Sequence, residues 1–236
     1  MTVANRNQYE VNPSSGSSKA FLLLIGALAI AGVILIAIVA SNNSGGDSSD
    51  LSLTSDQIEE GAVPPSDEVA GETGPVTVVG DALPKLEDGT DPAVGTEAPT
   101  LEATRFDGGD AVIDPSDGTG RVYAFVAHWC PHCQREVPVM AEWLQDNPLP
   151  SDVQFVVVST GVREGQPNYP PSIWLHEAAV PALVIRDSAE STAASAFGLS
   201  GFPFFVATDG QGNVVERTSG EQSVDQLNDL VSAAQG

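Results

Sequence analysis

The chain has 236 residues, a formal net charge of −23 and only nine Lys and Arg residues. This length suits one ordinary domain with additional segments. The charge argues against a nucleic-acid partner, because phosphate binding requires clustered Lys and Arg. Two cysteines, Cys130 and Cys133, are too few for a scaffold of several disulfide bonds.

An uninterrupted apolar run extends from Ala20 to Ala40. As a helix it is about 30 Å long, which matches the hydrocarbon core of a bilayer. Arg6 and Lys19 precede it, and the first charges after it are acidic, so the positive-inside rule places residues 1–19 in the cytoplasm and the later residues outside the cell membrane. We expect an uncleaved single-pass signal anchor. A cleaved signal peptide and a buried core helix are the alternatives, but the run is longer than a usual signal-peptide h-region.

An acidic, Ser-, Gly- and Pro-rich stretch follows the apolar run and predicts a flexible linker over residues 41–95. Within it, Pro75–Val79 is either a short strand or the approach to a folded domain. A compact domain is therefore expected to begin between about residue 75 and residue 96, with 96–236 as its main part.

The remaining sequence alternates strand and helix patterns. Buried strands are predicted at Arg121–Ala127, Val153–Thr160 and Ala182–Asp187, a hairpin at Phe202–Thr208 and Asn213–Thr218, and helices at Cys133–Asp146, Ser188–Phe197 and Ser223–Ala234. The first helix has helical spacing of Val137, Met140, Trp143 and Leu144, and the last of Val224, Leu227, Leu230 and Val231. This order predicts an α/β sandwich with a mixed central sheet flanked by helices, preceded by one transmembrane helix.

The two cysteines form a Cys-x-x-Cys motif between a predicted buried strand and a predicted helix, which is a redox arrangement. Cys130 is expected at the helix N-terminus, where unpaired N–H groups and the helix dipole stabilise a thiolate. Pro131 suits the first helical turn. Cys133 lies one turn further on, so Cys130 can attack a substrate disulfide and Cys133 can resolve the mixed disulfide.

His132, between the cysteines, has two interpretations. An imidazolium or imidazole N–H beside Cys130 would stabilise the thiolate and make the disulfide a stronger oxidant. Alternatively, it occupies an exposed helix-start position without a role. Zinc binding is the competing role for the cysteines, with His128 and His132 as further ligands, but a structural zinc site requires four well-placed ligands and no second Cys-x-x-Cys exists. We therefore predict no metal and no cofactor beyond the redox-active cysteine pair.

Three segments resemble the thioredoxin superfamily, and within it the membrane-anchored TlpA/ResA-type thiol-disulfide oxidoreductases. They are "VGTEAPTLEATRFDGG" (94–109), "AFVAHWCPHCQREVP" (124–138) and "FGLSGFPFFVATDGQGNVV" (197–215). The resemblance covers about residues 94–234. It implies a thioredoxin-like fold and catalysis by Cys130 and Cys133.

The resemblance also implies the surroundings of the cysteines. Pro203 matches the family's cis-proline, whose loop packs beside the cysteines and offers backbone hydrogen bonds to an extended substrate; a trans proline at the start of an edge strand is the alternative. Phe202, which precedes it, and Trp129 are expected to contact substrate. Glu136 matches a glutamate that assists proton transfer near the resolving cysteine, or else is a solvated first-turn acid. Pro138 matches a structural, kink-forming proline.

Two features of the sequence point to different relatives. The Pro131-His132 pair resembles that of the oxidising DsbA, whereas the stretch between Cys133 and Pro203 is too short for the helical domain inserted in DsbA and fits one extra αβ element, as in TlpA/ResA-type proteins. The expected function is a disulfide reductase that acts on exported proteins and receives electrons from a membrane partner. A DsbA-like oxidase and a non-catalytic thioredoxin-fold binding module are the alternatives.

Overall fold

The structure is a computed structural model that describes residues 69–236. The predicted cytoplasmic tail (1–19), the predicted transmembrane segment (20–40) and the first part of the predicted linker lie outside these residues. Within 69–236, none of the helices has both the length and the apolar character needed to cross a bilayer.

The described residues form a mixed sheet with helices on both faces. Its strands are β1 (Thr77–Val79), β2 (Thr100–Thr104), β3 (Asp110–Ile113), β4 (Gly120–Val126), β5 (Val153–Ser159), β6 (Leu183–Arg186), β7 (Phe204–Thr208) and β8 (Val214–Ser219), and the helices are α1 (Pro131–Asp146), α2 (Pro171–Ala178), α3 (Thr192–Ala196) and α4 (Val224–Ala234). The strand order is β1-β2-β6-β5-β4-β7-β8, with β3 paired to β2. The predicted α/β sandwich with a mixed central sheet is confirmed.

The three central strands of the sheet pair in parallel, and the strands on either side of them are antiparallel. β4, β5 and β6 are parallel, β7 is antiparallel to β4, and β8 is antiparallel to β7. All seven residues of β4 are buried. A strand covered on both faces carries a continuous apolar run instead of an alternating one, which is why this strand was recognisable in the sequence.

The two faces of the sheet are packed by different helices. α1, α2 and α4 contribute to one apolar cluster, and α3 with the segment before β2 contributes to the other. All four spaced apolar residues predicted for α1 are buried. In α4 the prediction is wrong at one position: Val224 is 47% exposed, and the buried face begins one turn later, at Leu227. Val224 is the first residue of the helix.

The folded region extends N-terminal to residue 96. Residues 77–79 form β1, and Leu83 and Ala93 are buried against the sheet. Of the two interpretations of Pro75–Val79, the strand is the observed one. Acidic, Gly-rich composition suggested a linker here because most of the segment's side chains face outward, while its few apolar residues face inward.

Three elements were not predicted, and one helix is shorter than predicted. β2, β3 and α2 lie in stretches with no strong apolar pattern. The helix expected at 188–197 spans only Thr192–Ala196, because the buried Asp187 carboxylate accepts hydrogen bonds from the N–H groups of Ala193 and Ala194 and so fixes where the helix begins.

Candidate active site

The cysteine pair lies where the central strand β4 passes into α1. Cys130 is the N-cap of α1, and Pro131 is its first residue. The Cys130 N–H donates to the Ala127 carbonyl at 3.0 Å, and the Cys130 carbonyl accepts from the Gln134 N–H at 3.0 Å. The first residue of a helix has no intrahelical acceptor for its N–H, so Pro131, which lacks an N–H, fits at this position. The expected place of Cys130 at a helix N-terminus is confirmed.

The two thiols differ in their access to solvent. Both are free; Cys130 is 7% exposed, whereas Cys133 is completely buried. The Ala127 N–H donates to Cys133 Sγ at 3.4 Å. Burial raises the pKa of Cys133 well above its ordinary value, and the neighbouring Cys130 and then Glu136 add to the shift. Cys130 is therefore the more accessible thiol, and burial favours the protonated form of Cys133.

The proline loop lies against Cys130. The Phe202–Pro203 peptide bond is cis, as predicted, so the trans alternative is wrong. The Phe202 carbonyl oxygen lies 3.9 Å from Cys130 Sγ. The Phe202 ring meets the Trp129 indole at 85°, with ring centres 5.8 Å apart. The Phe202 carbonyl and the Trp129–Phe202 ring pair thus border Cys130.

Glu136 lies on the buried side of the pair. Its side chain is 2% exposed, so the solvated first-turn alternative is wrong. Its Oε2 accepts from the Gln222 N–H at 3.0 Å, and its Oε1 has no hydrogen-bond partner among the described residues. Burial raises the pKa of Glu136 to about 7. This carboxyl can therefore gain or lose a proton near neutral pH, close to Cys133. Pro138, two residues further on, lies inside α1.

A charged cluster lies on the exposed side. His132 Nδ1 is 2.6 Å from Glu221 Oε1, and Arg135 Nε is 3.1 Å from Glu221 Oε2. Arg135 Nη2 lies 2.9 Å from the same imidazole nitrogen, so that nitrogen can donate to Glu221 or accept from Arg135. Hydrogen bonds from Arg135 and His132 lower the pKa of Glu221 to about 2. His132 is 59% exposed, yet it has a specific charged partner.

His128 anchors a loop beside the site. It is 1% exposed; its Nδ1 lies 2.7 Å from the Pro167 carbonyl oxygen, and its Nε2 is 3.1 Å from the Arg163 N–H. A carbonyl only accepts and an amide N–H only donates, so the proton is on Nδ1. Both ring nitrogens are engaged within the protein. Within 69–236, no three His, Cys, Asp or Glu residues are placed to hold a metal ion.

Sequence reasoning missed the partners that complete the site. Glu221, Gln222 and Arg163 come from segments distant in the chain, and only Arg135 lies within the recognised motif segment. The sequence does contain a signal for Arg135. In a chain with only nine Lys and Arg residues, an arginine two residues after the Cys-x-x-Cys motif indicates a role for its charge near the cysteines.

The sequence matches no protein-family model and no curated protein. Among solved structures, a thioredoxin-family thiol:disulfide interchange protein from Chlorobium tepidum TLS is 22% identical, with 64% of this chain and 100% of that chain covered and a TM-score of 0.50. MTB dsbF is 27% identical, with 57% and 94% covered and a TM-score of 0.46. StoA from Bacillus subtilis is 20% identical, with 59% and 98% covered and a TM-score of 0.48. The Chlorobium tepidum match supports the thioredoxin-like fold of the described residues.

Proposed function

We propose that this chain is a thiol-disulfide oxidoreductase that exchanges a Cys130–Cys133 disulfide with protein substrates. One observation carries the proposal. A near-surface thiol caps a helix beside the carbonyl that precedes a cis-proline, and a fully buried thiol follows one turn later. The helix N-terminus stabilises a thiolate at the first position, and the buried second thiol is reserved for attack from within.

The exchange takes place in two steps that conserve sulfur, electrons and protons. The Cys130 thiolate attacks one sulfur of a substrate disulfide, a mixed disulfide forms, and the other substrate sulfur leaves as a thiolate that takes up a proton. Cys133 then loses its proton and attacks Cys130 Sγ, which releases the second substrate thiol and leaves a Cys130–Cys133 disulfide. Two electrons pass from the protein to the substrate, and a dithiol donor restores the reduced pair.

Glu136 is the proposed proton acceptor for the second step. Cys133 needs a base because its own pKa is strongly raised. Glu136 is the buried carboxyl near it, with a pKa of about 7 and one oxygen that has no partner among the described residues. A base whose pKa lies near the working pH is well suited to proton transfer.

The proposed direction is reduction. The chain would be anchored by residues 20–40, with its catalytic domain outside the membrane, and would pass electrons from a membrane partner to disulfides of exported proteins, as the TlpA/ResA resemblance implies. The Pro131-His132 pair favours a second candidate, an oxidase, because cationic partners near Cys130 stabilise the reduced form and make the disulfide more oxidising. The Glu221 carboxylate opposes that effect, since it lies against both His132 and Arg135.

The first experiment compares the full-length wild-type chain with Cys130→Ser for reduction of insulin disulfides by dithiothreitol. We expect Cys130→Ser to abolish catalysis, with Glu216→Gln, an exposed change on β8, as a control that retains it. Full activity in Cys130→Ser would overturn the assignment of Cys130 as the nucleophile, whereas a wild-type disulfide inert to dithiothreitol would indicate a non-catalytic binding module.

Equilibration with glutathione at pH 7 then decides the direction. A reduction potential of the Cys130–Cys133 couple near about −270 mV or lower supports the reductase, and one near about −120 mV supports the oxidase.

A further inference from the structure

Arg163 lies on the loop between β5 and α2, beside the proposed nucleophile, and has no part in the exchange steps described above. The Arg163 guanidinium carbon lies 3.9 Å from the centre of the Trp129 ring, within the range of a cation–π contact. Trp129 directly precedes Cys130 and also contacts Phe202 of the proline loop. Arg163 therefore borders the surface that a substrate chain would cover.

Apart from the Trp129 ring, the guanidinium of Arg163 has no hydrogen-bond or ion-pair partner among the described residues. Its guanidinium makes no hydrogen bond there and has no carboxylate within salt-bridge distance, although Glu164 is next in the chain. Arg135, on the opposite side of the cysteines, is instead paired with Glu221. Of the two exposed arginines near the cysteine pair, only Arg163 retains all its donors for an external group.

The loop holds this arginine in position before any substrate arrives. The Arg163 backbone N–H donates to the buried His128, whose other ring nitrogen donates to the Pro167 carbonyl. The Trp129 indole N–H donates to the Gly161 carbonyl at 2.7 Å. Contacts on both sides of Arg163 thus fix the loop, and the stack on Trp129 restricts the side chain, so less entropy is lost when a ligand binds.

A stacked guanidinium presents its N–H donors at the edge of its plane. That edge matches a carboxylate, which can accept two parallel hydrogen bonds. The net charge of −23 repels an acidic protein as a whole, so attraction at this point is local. The ligand that this geometry suits is a single carboxylate on the substrate chain.

We propose that Arg163 is a specificity-determining residue that binds an Asp or Glu side chain next to the reacting cysteine of the substrate. This inference rests on the proposed function, because it concerns the choice among disulfide substrates. The carboxylate would bind at the edge of the stacked guanidinium while the substrate backbone lies along Phe202 and Pro203. Substrates with Lys at the same place would be disfavoured by like-charge repulsion.

The test uses the full-length reduced chain and disulfide peptides that differ only in Glu, Gln or Lys beside the reacting cysteine, before or after it. In this single exchange, we expect the second-order rate constant for the Glu peptide to exceed that for the Gln peptide about fivefold at low salt, the size of one favourable exposed ion pair. The ratio should fall to about one in Arg163→Gln and reverse toward Lys in Arg163→Glu. Because the measure is a ratio within each variant, a general loss of activity does not alter it.

Arg105→Gln is the matched control, since Arg105 is an exposed arginine already paired with Asp107, and it should keep the Glu preference. Equal rates for the three peptides, or a preference that persists in Arg163→Gln, would overturn the inference while leaving the exchange activity intact. Failure to exchange both with every peptide and with hydroxyethyl disulfide would overturn the proposed function itself.

Discussion

Two glutamates flank the cysteine pair and have opposite pKa shifts. Burial raises the pKa of Glu136 to about 7, whereas hydrogen bonds from Arg135 and His132 lower the pKa of Glu221 to about 2. The two residue types are identical, so their surroundings alone account for the difference. The buried side of the pair is suited to moving a proton, and the exposed side to holding a fixed charge.

Removing the buried thiol has the largest expected effect. In Cys133→Ser, Cys130 still attacks a substrate disulfide, but no second thiol can resolve the product, so the mixed disulfide accumulates to one substrate per chain and turnover stops. Intact-mass measurement after incubation with a disulfide peptide detects the adduct. Continued turnover by Cys133→Ser would show that an external thiol, and not the buried side, completes the reaction.

Glu136→Gln removes the proposed base and keeps the side-chain shape. We expect resolution of the mixed disulfide to slow on the order of 100-fold, the scale of general base catalysis. The wild-type rate should rise with an inflection near pH 7, and that inflection should be absent in Glu136→Gln. Stopped-flow tryptophan fluorescence follows this step. An unchanged inflection in the variant would assign it to another group.

The same variant should be more stable than the wild type at high pH. A folded-state pKa raised above the ordinary 4.5 means that the wild type is favoured while Glu136 is protonated and loses that contribution as pH rises through about 7. In urea titrations, Glu136→Gln should therefore match the wild type near pH 4, below the unfolded pKa, and exceed it by at most about 3 kcal/mol above pH 8. Equal stability at both pH values would contradict a buried, charged Glu136.

Glu221→Gln, on the exposed side, has the smallest expected effect. It leaves the Arg135 charge uncompensated near Cys130, which stabilises the thiolate and raises the reduction potential on the order of 10 mV. The difference should vanish at 1 M salt because exposed charges are screened. Glutathione equilibration measures it, with Glu216→Gln as the control. A much larger change in the reduction potential, or one that persists at 1 M salt, would show that Glu221 acts as a buried charge does. The contrast between the Glu136 side and the Glu221 side would then be lost.

The sequence alone was sufficient for the elements that are fully buried or strongly amphipathic. β4 and β5 contain the apolar runs 122–126 and 155–158, and α1 and α4 carry apolar residues at helical spacing. The place of Cys130 at the start of α1 follows from the motif and Pro131. These features depend on neighbours in the chain, which is why local pattern reveals them.

The remaining features depend on contacts between distant segments. β2 and β3 are short strands in which only alternate residues face inward. The choice between a solvated and a buried Glu136 depends on Gln222, 86 residues away. Arg163 meets Trp129 only because parallel β4 and β5 end at the same edge of the sheet. No spacing rule within one segment contains that information.

The segment between β8 and α4 contacts α1 through consecutive residues: the Glu221 side chain accepts from Arg135, and the Gln222 backbone N–H donates to Glu136. The Glu136 contact needs only a backbone N–H at position 222, which proline lacks, while the buried Gln222 side chain holds the turn by donating to the Gly220 carbonyl at 2.8 Å. The Arg135 contact needs the carboxylate of Glu221. An inserted or deleted residue would displace both contacts together, so the length of this short connection couples the buried side of the cysteine pair to the exposed side.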